Sequence, residues 1–471
     1  MTRILVLAAA LALAGCVKAG PDYVPPAVDA PRSFGPALAA LPEASERPGG
    51  WWRGFEDADL DRLVAGALRG GLELSAALAR LDEARALARS ADAARYPRLD
   101  AQGAAGIERV LSGGGPGGRA TTRSASGSAI LEWSPDLFGG RTRAFEAATA
   151  EQRRRAALLA DTARLTVADV ARQYVKVRRS GARLGLLETS LELQNQTLGI
   201  VRSRREAGLA ADLDVNRAAA EVAETRARRG DLDLSGEAAR NALAVLQGVP
   251  PTAGASGLDR EHRVPVFDGG PAPGTPRDLL RRRPDLAAAE ANLARATAEI
   301  GVAAAELYPS LTLPGRLTAD VTDVGAGGVV KQVVGLLSAT LDVPLFDAGG
   351  RRARVEAARA RTREALAVYR RTLLTALSEA ETALVAIRGA RASRADYRAA
   401  VEASEKAFRQ ADALYREGLA SFIDILDAQR TLISNREALV DAEADLALSI
   451  IDFYAAIGAP VPREGEAEGR I

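Results

Sequence analysis

Four stretches of the chain alternate apolar and polar residues with a period of two, the pattern of β-strands with one apolar face. The clearest sets Leu311, Leu313, Gly315, Leu317, Ala319 and Val321 against Ser310, Thr312, Pro314, Arg316, Thr318 and Asp320. Another puts Val333, Gly335, Leu337, Ala339, Leu341, Val343 and Leu345 on one face and Gln332, Ser338, Thr340 and Asp342 on the other. An earlier one places Ser124, Ser126, Ser128, Glu132 and Ser134 opposite Ala125, Ala129, Leu131 and Trp133, and the weakest covers about Arg98 to Val110. Glycine-rich turns at Gly113 to Gly118 and Gly325 to Gly328 join these strands into two β-hairpins.

Each hairpin leads into a proline-free helical run, Gly139 to about Ala207 and Gly349 to about Glu417. At 1.5 Å per residue either run is roughly 100 Å long. Val170, Val177, Leu184, Leu191 and Leu198 recur every seven residues. Leu366, Leu373, Ala380, Ile387, Val401, Phe408 and Tyr415 keep the same register in the second run, with Arg394 the exception. A heptad stripe this long predicts helices supercoiled against neighbours. Gly208 and Gly418 end the runs, and return helices are predicted at about Asp212 to Gln247 and Ser421 to Ile457. Helical patterning also covers Asp57 to about Arg95, with a break at Gly70-Gly71 and a stop at Tyr96-Pro97.

These elements come twice. A shift of 210 lays Gly139-Gly140-Arg141 on Gly349-Gly350-Arg351, Gly208-Leu209-Ala210 on Gly418-Leu419-Ala420, and Asp214 on Asp424. The same shift lays Gly248 and Pro250 on Gly458 and Pro460. The structural unit is therefore about half the chain, a strand hairpin continued by a hairpin of long helices.

Composition narrows the class. Of the 471 residues 47% are apolar but only 4% aromatic, so helices can approach closely around little bulk. A formal net charge of +1 offers no basic patch for nucleic acid. Arg3, the apolar run Ile4 to Leu13 and Leu13-Ala14-Gly15-Cys16 read as a signal peptide ending in a lipoprotein processing box. Cleavage before Cys16 and acylation of that residue are expected. Cys16 is the only cysteine, so neither a disulfide framework nor a thiolate metal site is available. No later stretch is apolar for eighteen residues, and no transmembrane helix is expected. Residues 17–50, rich in Pro, Gly and Ala, read as an extended tether.

Alternation alone suits a soluble sandwich as well as a membrane sheet. Tyr96, Trp133, Tyr308 and Phe346, however, all stand at the entry or exit ends of the hairpins, where an interfacial aromatic girdle would lie. Four strands with bare edges cannot sit in lipid, so further copies must close them. Two chains would give eight strands and three would give twelve; the pattern does not choose.

The chain resembles the outer-membrane efflux lipoproteins of the TolC/OprM-like, or NodT-type, outer membrane factor family. The resemblance rests on Cys16 to Tyr23, Trp51-Trp52 with Phe55, Arg282-Arg283-Pro284-Asp285, Ile300-Gly301, Leu307-Tyr308-Pro309, Phe346 to Arg351 and Leu426-Asp427-Ala428-Gln429-Arg430. It implies a mixed α+β membrane protein: a homotrimer with a twelve-stranded transmembrane β-barrel, a twelve-helix periplasmic α-barrel and a small equatorial domain. On that plan residues 1–15 are the signal peptide, 16–56 a lipid-anchored extended segment, 57–95 the first repeat's helices and 96–138 the first β-hairpin. Residues 139–250 form the first long helical hairpin, 251–307 the equatorial connector with the second repeat's helices, 308–348 the second β-hairpin, 349–458 the second helical hairpin and 459–471 a tail.

The resemblance also implies a role: the exit duct of a tripartite efflux pump, working with a periplasmic adaptor and an inner-membrane pump and set in outer-membrane lipid. It makes Asp424 and Asp427 rings of charge, Ile423 an apolar constriction, Arg430 an inter-protomer pairing partner and Tyr415 an aromatic gate residue. Ala420 stands where some relatives carry a gate-locking arginine. Spacing alone says only that Asp424 and Asp427 share one helix face as solvated acids. Gly208, Leu209, Gly418 and Leu419 would form the tips that dock the adaptor. The alternatives are the exit duct of a type I protein secretion system and a non-conducting envelope lipoprotein.

No cofactor, metal or catalytic activity is expected. Gly113 to Gly118 lacks the Lys-Ser/Thr of a phosphate loop, and His262 has no second ligand nearby. No nucleophile, base and orienting group come together. Arg283-Pro284-Asp285 reads as a helix start, with proline in the first turn and an acid at the positive end.

Overall fold

The computed structural model describes residues 18–27, 50–109, 121–251, 258, 263–267, 282–323 and 328–461. The leader with Cys16, His262, the Gly113 to Gly118 turn, most of the Gly325 to Gly328 turn and the last ten residues lie outside the described residues. Two compact units are present. Met1–Ala27, Arg80–Ala156 and Ala288–Arg370 form the first; Val28–Ala79, Ala157–Ala287 and Arg371–Ile471 form the second. The described helices are α1 (Ala58–Gly70), α2 (Leu72–Ala93), α3 (Gly140–Glu206), α4 (Asp212–Ala227), α5 (Arg229–Leu246), α6 (Pro284–Ala305), α7 (Gly350–Arg416) and α8 (Phe422–Ala456). The helices α3 and α7 each run 67 residues without a break.

In the first unit β1 (Arg98–Arg109), β2 (Thr121–Trp133), β3 (Ser310–Asp323) and β4 (Val329–Leu337) pair antiparallel in that order. Register sets Leu99, Leu131, Gly315 and Leu337 in one row. The next rows are Ala101, Ala129, Leu317, Gly335 and then Gly103, Gly127, Ala319, Val333, so this face is apolar across the sheet. The other face carries a Ser128–Thr318 hydrogen bond of 3.0 Å and donation from Gln332 to Asp320 at 3.3 Å.

The expected fourth strand departs from its pattern in two ways. It is interrupted after Leu337 and resumes as β5 (Thr340–Asp342), still against β3. Pro314 stands opposite the break. Its carbonyl accepts from the Ser338 N–H at 3.0 Å, but proline has no N–H to return. Val330, Val334 and Leu336 also put apolar residues on the face that carries Thr322, Thr318 and Arg316.

Residues 18–23 are fastened in place. Arg143 of α3, almost fully buried, donates to the carbonyls of Ala19 (3.1 Å) and Gly20 (3.2 Å) and pairs with Asp22 and Glu146, both at 2.8 Å. Gly301 of α6 is the floor of this crossing: a Cβ there would lie 2.8 Å from the Ala19 carbonyl oxygen. Tyr23 reaches Glu290 of the same helix at 3.2 Å. These contacts give Gly301 in the Ile300-Gly301 block a packing reason.

The second unit holds the larger core. Leu63, Tyr174, Leu384, Ile387, Ile450, Ile451 and Phe453 are sealed within it, and Trp51 stacks on Tyr454 with ring centroids 5.2 Å apart. Much of the heptad stripe points inward, with Val170, Val177, Leu198, Leu373, Ala380, Ile387 and Tyr415 buried. The extended segment drawn to residue 56 ends earlier: Trp51–Phe55 is a 3-10 turn whose aromatic side chains are buried. Asp57 then caps α1, accepting from the backbone N–H groups of Asp59 (3.0 Å) and Leu60 (3.3 Å).

The first return helix is also different from expectation. It is broken at Arg228 into α4 and α5, whereas α8 runs unbroken for 35 residues. Gly230 and Asp231 are weak helix formers, and Ser180 of α3 donates to the Leu232 carbonyl at 2.6 Å. A Cβ at Gly236 would meet that hydroxyl at 2.9 Å, so the lack of a side chain there lets α5 lie close to α3. The counterparts of Ser180 and Gly236 in the second repeat are Ala390 and Leu446, and no such contact is made there.

Candidate functional site at the helical tips

Both long helices end in the same backbone device. At the first tip Gly208 N–H reaches the Arg205 carbonyl at 2.9 Å and Leu209 N–H the Arg204 carbonyl at 2.7 Å. At the second, Gly418 N–H reaches Tyr415 at 3.0 Å and Leu419 N–H reaches Leu414 at 2.8 Å. These are Schellman closures, and they need φ values of +73° and +81° at the two glycines. The closure turns Leu209 and Leu419 outward, 68% and 72% exposed. Ile423 is half exposed one turn further on, and so is Leu213, its counterpart in the first repeat.

Tyr415 lies beneath this surface. It is buried with Leu198, Val201, Ala218, Val222, Phe422, Ile425 and Leu426, its ring 6.0 Å from that of Phe422. The guanidinium of Arg204 sits over the Tyr415 ring at 4.8 Å and donates to the Tyr415 backbone carbonyl at 2.8 Å. One arginine therefore caps the negative end of α7 and covers its last aromatic side chain. Burial pushes the Tyr415 phenol above its ordinary value; the Arg204 charge opposes that shift, and Asp214 adds to it. The hydroxyl itself has no hydrogen-bond partner among the described residues.

The remaining residues start α8. Asp424 accepts from the Ser421 N–H (2.8 Å) and Ser421 hydroxyl (2.6 Å), completing a capping box. Those two donors hold its carboxyl below the usual range. Asp427 is exposed one turn along. Arg430 pairs within the chain with Glu221 of α4, its Nε donating at 2.7 Å. The structure thus brings Tyr415, Phe422 and Arg204 together, while Ile423, Asp424 and Asp427 stay on open surface.

Two residues escaped the sequence reading. Leu213 was recoverable, because it stands 210 positions before Ile423. Arg204 was not, because its counterpart is Leu414 and nothing in the local pattern marks it. Among the described residues no group of His, Cys, Asp and Glu could hold a metal ion.

Two stretches, residues 63–249 and 275–459, match the family model described as "Outer membrane efflux protein". The chain belongs to that family. The two stretches fall one on each repeat. Nodulation protein T of Rhizobium leguminosarum bv. viciae is 32% identical over 452 residues, covering 95% of this chain and 91% of that protein. The "Probable outer membrane lipoprotein SilC" of Salmonella typhimurium is 26% identical over 469 residues, 97% of this chain and 98% of its own. The solved outer-membrane channel OprN superposes with a TM-score of 0.86 at 31% identity, covering 94% of this chain and 99% of that one. This member of the outer membrane efflux proteins therefore has the fold of an outer-membrane efflux channel and is an outer-membrane protein.

Proposed function

We propose that three copies of this chain close one transmembrane β-barrel and one helical barrel, forming the passive exit duct of a tripartite efflux pump. The observation that carries this reading is the sheet itself. It is amphipathic, and β1 and β4 each pair on one side only among the described residues. Unpaired backbone edges are not tolerated in hydrocarbon, so a membrane location demands closure by further copies. Acylation at Cys16, supported by the Leu13 to Cys16 box and by the name of the relative SilC, would hold the protein to the outer membrane.

At the tips, Leu209 and Leu419 offer apolar contacts to a periplasmic adaptor, which receives substrate from an inner-membrane pump. Ile423 with Leu213 would form the apolar constriction, and Asp424 and Asp427 would repeat around the pore as rings of charge. Arg204 and Tyr415 hold the second tip shut from behind. A spacer without a pore would have no use for amphipathic strands.

Conductance of the purified protein in a planar bilayer tests the reading, with channel steps expected and a bilayer that stays sealed under every condition counting against it. Replacing Asp424 and Asp427 together by Ala should raise single-channel conductance or weaken cation block. Unchanged currents would remove them from the pore.

A further inference from the structure

One residue of the second heptad stripe falls outside its pattern. Arg394 stands where Leu373, Ala380, Ile387 and Val401 call for an apolar side chain. A shift of 210 lays it on Leu184, which keeps the register of the first run. The same shift lays Arg391 on Gly181 and Arg398 on Glu188. Residues 391, 394 and 398 share one face of α7, so the second repeat carries a row of three cations that the first lacks. Like charges at this spacing repel along a helix, and a row of them calls for a counter-charge.

Arg394 and Arg398 line an open cavity of about 820 Å³ in the second unit. Arg263, from the short stretch 263–267, and Arg178 of α3 line it too. The acids of its wall are Glu56, Asp57, Asp59 and Glu443. Two of these are already committed. Asp57 caps α1 and accepts from the Tyr174 hydroxyl. Asp59 pairs with Arg178 at 3.1 Å and with Arg62 at 2.8 Å. Arg178, 4% exposed, is thereby fixed as part of the floor.

Three guanidinium groups, those of Arg263, Arg394 and Arg398, are left against the carboxylates of Glu56 and Glu443. Glu443 serves its two neighbours poorly, standing 3.5 Å from Arg394 and 3.7 Å from Arg398. The Nε of Arg394 is closed off from solvent and makes no hydrogen bond. Burial and the Arg394 charge together push the Arg391 guanidinium below its ordinary value, so the positive charge of this face is not neutralised by the wall. The rest of the lining is apolar, with Phe55, Val266 and Val440 among it.

We propose that this cavity binds a small organic anion, whose single carboxylate or phosphate group is held by Arg394, Arg398 and Arg263 and whose apolar body lies against Phe55, Val266 and Val440. One negative charge completes the count of the wall. Guanidinium forks match the oxygens of either group, and the volume is that of a site for a molecule of drug-like size. A ligand there ties α7 and α8 to the stretch 263–267 and to the start of α1. The site lies roughly 30 Å along α7 from Tyr415, and it does not depend on the duct reading.

Calorimetric titration of the full-length protein in detergent tests the site with three probes: N-acetylphenylalanine, phenyl phosphate and the neutral amide of N-acetylphenylalanine. Saturable binding is expected from at least one of the two anions and not from the amide. Tighter binding of N-acetylphenylalanine marks a carboxylate ligand, and tighter binding of phenyl phosphate marks a phosphate ester. Arg394→Leu installs the residue of the first repeat, so its melting temperature should match or exceed the parent's while affinity falls about ten- to a hundredfold. Arg398→Gln, at an exposed position, should weaken binding about tenfold. Arg80→Gln, on α2 and outside the cavity, should leave it unchanged. Binding of the amide as tight as that of the anions overturns the proposal, and so does affinity that survives both Arg394→Leu and Arg398→Gln. Silence from both anions at millimolar concentration, in protein that melts cooperatively, overturns it as well. None of these outcomes touches the channel reading, which rests on conductance.

Discussion

The two helical hairpins share their punctuation and differ in how their ends are fastened. Glycines with positive φ close both at matched positions, Gly208 with Gly418 and Gly248 with Gly458. At the first repeat's inner end the fastening is bare backbone: a Cβ at Gly248 would lie 2.3 Å from the Gly70 carbonyl oxygen. At the second, Arg283 fills the same place, with its Cγ and backbone 2.8 to 2.9 Å from a Cβ built on Gly458. That arginine, 4% exposed, donates to the Ala456 carbonyl (2.8 Å) and pairs with Glu379 (2.6 Å) and Asp285 (2.7 Å). Arg164 of α3 donates to the neighbouring Ala455 carbonyl. With Arg204 at the tip, the C-terminal carbonyls of both α7 and α8 are held by guanidinium groups from outside the hairpin. Duplication laid down one backbone plan, and one copy was then secured by close packing and the other by charge.

This contrast can be broken first at its strongest point. Arg283→Met keeps the bulk but strands Asp285 and Glu379, and should cost roughly 3–5 kcal/mol, read as a fall in thermal stability by circular dichroism. Gly248→Ala, at the matched place in the first repeat, should cost about 1–3 kcal/mol by overpacking. Equal losses would erase the distinction.

Acid should separate the repeats in the same way. Burial alone would raise the Asp285 carboxyl, but the hydrogen bond and charge of Arg283 outweigh it and hold the group below its ordinary 3.8. Stability from this group is therefore complete above pH 3.8 and is lost as pH falls through the depressed value. A melting-temperature profile should show a loss below that pH, and Arg283→Met, which leaves burial to raise the carboxyl, should abolish or reverse it.

A smaller effect belongs to the tip. Arg204→Met should cost about 1–3 kcal/mol and speed hydrogen exchange at residues 415–430, with no matching change at residues 205–220. Arg204→Lys should restore little, since an ammonium cannot bridge the carbonyls and cover the ring as a planar fork does. The smallest effect is at the caps. Ser421→Ala should cost about 1 kcal/mol. Ala211, the counterpart of Ser421, has no side-chain cap although Asp214 stands three residues on. Ala211→Ser should therefore gain a few tenths of a kcal/mol up to about 1.

Features with a period or a repeat were legible in the sequence. The strands, the long helices and the tip glycines all announce themselves by alternation, heptads or the 210-residue shift. Features made by residues far apart did not. Arg143 meets Ala19 and Gly20, Arg204 meets Tyr415, and Arg430 meets Glu221, and in each case the partner is set by tertiary geometry. Pro314 could have foretold the gap between β4 and β5, because a proline inside a central strand must leave its neighbour short of a donor. Asp424 shows the opposite limit: a helix-starting Ser-x-x-Asp was readable, and the acid is committed to that cap whatever else it does.

The crossing of residues 18–23 over Arg143 and Gly301 also sets an order in time. A chain delivered from its N-terminus presents Ala19 long before Arg143, and Gly301 much later still. Residues 18–23 must therefore wait until more than half of the chain has followed them. Contacts of such long range are slow to form, because loop closure is paid before they return any stabilisation. Completion of the first unit thus waits on residues far along the chain, although its opening segment is the first to arrive.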